Sequence, residues 1–126
     1  MAITNAGAIL AAQCLMNDSA TFLNNSNAHL GVGDSSTAFS AAHTDLQAAS
    51  NKLRKAMEAT YPQRSSGALT FRSLFSTAQA NFAWNEWGVF NASSSGTMFS
   101  RKVESLGTKT SAQSWQLTAT VTVAAA

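Results

Sequence analysis

Charge is scarce in this chain. Asp, Glu, Lys and Arg make up 11% of its 126 residues, less than half the share of an ordinary soluble domain. Serine, threonine, alanine and asparagine stand where charges normally would, so much of the surface is small and neutral. Loss of charge marks the buried centre of protein interfaces, and the composition therefore favours lasting contact with neighbours, with a low-charge secreted monomer as the alternative. Eight cations against six anions leave a net charge of +2, too little for a nucleic-acid surface. The densest basic group, Lys52, Arg54 and Lys55, reads as a solvated helix face and not as a stripe tracking phosphates. The single cysteine, Cys14, excludes an intramolecular disulfide, which leaves packing or association to stabilise the fold. It sits in an apolar pattern with no nearby cation or histidine to favour a thiolate, so it reads as a small core residue. Long hydrophobic runs are absent too. The stretch from Ala6 to Met16 has no cationic segment before it and is well short of the roughly 20 residues that span a bilayer, so neither export nor membrane insertion is expected.

What remains is enough for one domain, residues 1–126, with one hydrophobic core. Apolar residues recur at Ile3, Ala6, Leu10 and Cys14, and Thr4 or Asn5 can cap the first turn, which predicts a short helix that stops at Asn17-Asp18-Ser19. Asn24 to Asn27 forms a polar loop. Three Asn-x-Ser sequons, at Asn17, Asn24 and Asn91, read as turn residues in a chain without an export signal. Residues 28–33 predict a short strand whose glycines permit a close backbone approach or a bulge, with Gly31, Gly33 and Asp34 forming a structural turn. A phosphate-binding loop is disfavoured there, because no third glycine and no Lys-Ser/Thr pair follow.

Thr44 to Gln47 has the spacing of a capping box, and Leu46, Ala49, Leu53, Ala56 and Met57 share one face at helical spacing, so a second helix is expected up to Tyr61-Pro62. From Ser65 the period falls towards two. Leu69 to Phe75, Ala80 to Trp84, Thr97 to Val103 and Trp115 to Val123 read as strands. Asn91 to Gly96 reads as a hairpin loop and Gly107 as a further turn. The fold class is therefore α+β, mainly antiparallel sheet or sandwich, with one or two short helices near the N-terminal half.

The segment from Phe82 to Asn91 places Trp84 and Trp87 around Glu86. In a regular strand only one of these tryptophans points inward, so the other, with Phe90, is a candidate interface anchor. Glu86 is a candidate buried polar residue, held by a backbone turn or paired with Arg72 or Arg101. It has no assignable second carboxylate for glycosidase chemistry. His29, His43, Cys14 and Asp34 match no metal spacing, and no nucleophile elbow occurs. Neither catalytic residues, metal ligands nor a cofactor site are expected. A sugar-binding or hydrolytic module built on Glu86 and the tryptophans is the competing class.

Taken in order, Ile3 to Gly7, Leu30 to Asp34, Leu69 to Phe71 and Glu86 to Asn91 resemble the N-terminal region of tailed-bacteriophage tail-collar fibre proteins. The chain is also similar to short virion structural proteins of tailed phages that share a Gly-Val-Gly-Asp turn, a Trp-Gly-Val-Phe strand and a Leu-Gly-Thr-Lys-Thr-Ser end, here Leu106 to Ser111. This resemblance implies a non-enzymatic attachment or adaptor domain at collar, tail or baseplate, made in the bacterial host cytoplasm and located in the virion. Its partners would be copies of itself and other tail, collar or capsid proteins, in a homo-oligomer, with no nucleic acid or membrane bound. The last strand runs straight into Ala124-Ala125-Ala126, with no receptor-binding part following, which keeps capsid decoration on the head surface as an alternative.

Overall fold

The structure is a computed structural model that describes residues 2–124. Thr4 starts the only helix among them: its hydroxyl accepts from the Gly7 amide at 2.9 Å and donates to the Met98 carbonyl at 2.6 Å. One side chain thus caps α1 (Asn5–Met16) and ties it to the sheet. Asn17, in the left-handed conformation at φ 53°, ends α1 by donating to the Cys14 and Gln13 carbonyls.

The strands are β1 (Ala2–Ile3), β2 (His29–Gly33), β3 (Lys52–Ala56), β4 (Gln63–Ser65), β5 (Ala68–Phe75), β6 (Ala83–Phe90), β7 (Met98–Thr108) and β8 (Trp115–Thr122). All pairings are antiparallel. They build a five-stranded sheet in the order β1-β7-β6-β2-β3 and a three-stranded sheet in the order β4-β5-β8. The α+β sandwich expected from the sequence is therefore present, with one helix. The main core lies between the sheets, where Leu30 and Val32, Phe71 and Phe75, Val89, and Leu117, Ala119 and Val121 are buried together with Leu10 of α1. The alternation of β8 reads directly in its burial: Leu117, Ala119 and Val121 point inward, while Gln116, Thr118, Thr120 and Thr122 are exposed.

The second predicted helix does not form. Residues 44–51 are irregular and the chain then enters β3, which pairs along its whole length with β2. Tertiary contacts override the local spacing: the Gln47 amide, which a capping box would give to Thr44, donates to the Glu86 carboxylate instead. Lys52, Arg54 and Lys55 consequently lie on a strand and not around a helix. Gly107 is not a turn either. It lies within β7 at φ 102°, beside an irregular stretch of the β6–β7 ladder, and the chain turns only at residues 110–113. The 91–96 loop does join β6 to β7, closed by Asn91, whose amide donates to the Thr97 carbonyl at 3.1 Å and whose side chain accepts from the Thr97 amide at 2.8 Å.

Helix docking leaves no room at Gly7, where a Cβ would lie 2.1 Å from the Phe99 carbonyl oxygen. Gly7→Ala is expected to cost about 1–3 kcal/mol, as overpacking against rigid backbone does, and to lower the urea midpoint of unfolding. The reverse exchange at an exposed position of the same helix, Ala12→Gly, serves as the control and is expected to cost only about 0.5–1 kcal/mol.

Candidate functional site

The three residues expected to anchor an interface are all interior. Trp84 is 1% exposed, Trp87 7% and Phe90 0%. The expectation of one outward tryptophan rested on a regular strand, but the β6–β7 register shifts between Trp84 and Glu86. That irregularity breaks the simple alternation, and both indoles join the main core. Trp84 packs edge-on against Phe75 and Trp115, at 4.9 and 5.0 Å between centroids, and its indole N–H donates to the Ala80 carbonyl. Phe90 belongs to a smaller cluster with Leu46 and Met98, and the Arg54 guanidinium stacks 3.7 Å above its ring.

Glu86 is completely buried and its side chain is fully engaged. Oε1 accepts from the Gln47 amide and from Arg101 Nε, both at 2.8 Å, while Oε2 accepts from the Ala48 amide at 2.8 Å. Arg101, also completely buried, continues the network by donating from Nη2 to the Thr37 carbonyl at 2.9 Å, with Nη1 lying 3.4 Å from His43 Nδ1. Gly31 and Gly33 lie in β2 and not in the expected turn; the chain bends away only at Asp34. Their missing side chains make the space the network needs. A Cβ on Gly33 would sit 2.5 Å from Glu86 Oε2, and one on Gly31 would meet Phe90 and Leu46. Glu86, Arg101 and these glycines together clamp the irregular segment 37–48 onto the five-stranded sheet.

Asp45 of that segment accepts from the Leu46 amide and pairs with Lys52 at 3.1 Å and Arg54 at 3.4 Å. Partial burial pushes its pKa up, but the Lys52 and Leu46 hydrogen bonds and the Lys52 and Arg54 charges outweigh this and hold it below the ordinary aspartate value. Lys109 is a buried cation that sequence reasoning missed; its ammonium donates to the Ser76 carbonyl at 2.7 Å and Asn81 Oδ1 at 2.8 Å.

These groups form a structural clamp; a shallow cleft of about 270 Å³ opens beside it between Asp45, Lys52, Arg54 and Ser93, and neither Glu86 nor Arg101 lines it. The carboxylate of Glu86 has no free face towards solvent, and neither tryptophan offers an exposed ring to a sugar. Among the described residues no group of three or more His, Cys, Asp or Glu is placed to hold a metal ion, and no helix is long and apolar enough to cross a membrane.

The surface feature of note lies on α1. The helix carries no charged residue, and Ile9, Leu15 and Met16 are 61%, 90% and 79% exposed. Beside Leu15 runs an apolar groove of about 330 Å³, bordered by Leu10, Cys14, Leu23, Leu69 and Val123. A helix that is apolar on every side is normally covered on every side. The signal was present in the sequence as an uncharged stretch from Ile3 to Asn17, but spacing alone could not say which residues stay outside. Comparison of the chain with protein-family models, curated proteins and solved structures finds no match.

Arg101→Met leaves the Glu86 carboxylate buried without its cation and is expected to cost about 3–5 kcal/mol, whereas Glu86→Leu with Arg101→Met recovers part of that loss. Urea unfolding of both single variants and the double variant measures it. For Asp45 the folded pKa is depressed, so its contribution is present above the unfolded pKa and fades as pH falls towards and through the folded one. The stability gap between the parent and Asp45→Asn is therefore expected to narrow in acid and to be constant near neutrality.

Proposed function

We propose that this chain is a non-enzymatic structural component of a tailed-bacteriophage particle, an attachment or adaptor domain at the tail or collar that works through protein contacts. The observation that carries the assembly reading is the uncharged, outward-facing apolar surface of α1 beside its groove. Leaving Leu15 and Met16 in water forgoes about 1.5–3 kcal/mol for each side chain that a neighbour would cover. Burial of Glu86, Trp84 and Trp87 weighs against the sugar-binding or hydrolytic alternative at that place. The virion assignment rests on resemblance: the segments from Ile3-Thr4-Asn5-Ala6-Gly7 to Glu86–Asn91, taken in order, resemble the N-terminal region of tail-collar fibre proteins, and the Leu106–Ser111 end resembles that of short virion structural proteins of tailed phages.

Light scattering on the purified protein is expected to give a mass above that of one chain, and mass spectrometry of disrupted particles is expected to detect the protein. Leu15→Glu with Met16→Glu is expected to reduce the mass to that of one chain without altering the tryptophan near-ultraviolet spectrum. Absence from mature particles sinks the virion reading. Detection on isolated heads and not on tails moves the assignment to capsid decoration.

A further inference from the structure

The exposed residues of α1 fall on a single stripe. Gly7 and Leu10 are buried, while Asn5, Ala8, Ile9, Ala12, Leu15 and Met16 are exposed. At 3.6 residues per turn these exposed positions recur every three or four residues and centre on Ala12. The stripe is graded by size. Ala8 and Ala12 form a low seam, Leu15 stands on one flank of it, and Ile9 and Met16 stand on the other. A second helix of the same sequence, turned antiparallel about a two-fold axis at Ala12, presents the matching relief. Leu15 then comes over Ala8 of the second copy, Ile9 lies beside Met16 of that copy, and Ala12 meets Ala12. Bumps meet hollows in both directions, as a two-fold interface requires. The small seam lets the helix axes approach to about 8 Å, the close end of the range for packed helices.

Charge selects the same arrangement. From Met1 to Ala28 the sequence has one charged residue, Asp18. It is exposed and follows the C-terminal end of α1, where its negative charge opposes the dipole of its own helix. In the antiparallel pair that end lies beside the first turn of the other α1, which is the positive end of a helix and has no acidic side chain of its own. A parallel pair would instead bring two Asp18 residues together, and a charged partner surface would meet a stripe with nothing to pair it.

We infer that α1 docks on the α1 of a second copy of this chain, antiparallel about a two-fold axis at Ala12. This rests on the assembly reading above and names the first neighbour and its orientation.

Disulfide trapping in the full chain tests it, with Cys14→Ser as the background so that each variant has one thiol. On the two-fold axis, Ala12→Cys places two thiols within disulfide reach. Under mild oxidation it is expected to form a linked dimer about tenfold or more faster than Thr120→Cys, an exposed position on β8, because pairing raises the effective thiol concentration. Mixing Ile9→Cys with Met16→Cys is expected to give the mixed dimer beyond its statistical share. Linkage at position 12 no faster than at position 120 overturns the proposal. So does a predominance of like-with-like dimers in the mixture, which signals a parallel pair, or linkage of Ala12→Cys to a different protein when disrupted particles are present. A mass above that of one chain without fast linkage at position 12 overturns this pairing and leaves the assembly reading in place; the mass of one chain with no fast linkage overturns both.

Discussion

A carboxylate sealed from water needs donors on both of its oxygens, and this requirement at Glu86 organises one whole side of the molecule. Two consecutive backbone amides and a guanidinium supply them. Because the amides belong to residues 47 and 48, the satisfied carboxylate also dictates that this part of the chain stays irregular. An ion pair of this kind is weak evidence of net stability, since desolvation offsets much of the attraction. Its effect here is positional: it holds a long segment without secondary structure at a fixed height above three neighbouring glycines.

The glycines complete that account. Gly31, Gly33 and Gly88 come from two adjacent strands, with Gly31 opposite Gly88 and Gly33 opposite Glu86 in the ladder. Across this shallow trough Leu46 reaches down to Phe90 and Met98 and forms a second, smaller core on the face away from the main one. Arg54 closes its rim, stacked on Phe90 and donating to the Ala92 and Ser95 carbonyls. A basic residue that composition would place in solvent thus acts as a lid over an aromatic ring.

Much of this was legible in the sequence. The alternation from Trp115 onwards, the Thr4 cap, the Asn91 loop and the pairing of Glu86 with Arg101 or a backbone turn each rest on local chemistry that survives in the fold. The rest was illegible for a common reason. Thr44 to Met57 carries a sound helical pattern, yet its amides and its apolar residues answer to partners some forty residues away. Trp84 and Trp87 were separated by an alternation rule that a ladder irregularity suspends. No local pattern encodes a register slip in a neighbouring strand.

Lys109 lies in the interior without a carboxylate, while Arg101 and Glu86 cancel one another there. Burial does not take these charges out of the far field, but the whole chain carries a net charge of only +2. Molecules of this protein therefore exert little long-range repulsion on one another, and dissolved ions have little to screen. Close crowding at high local density would carry only a small Coulombic penalty, much the same in dilute buffer as in brine.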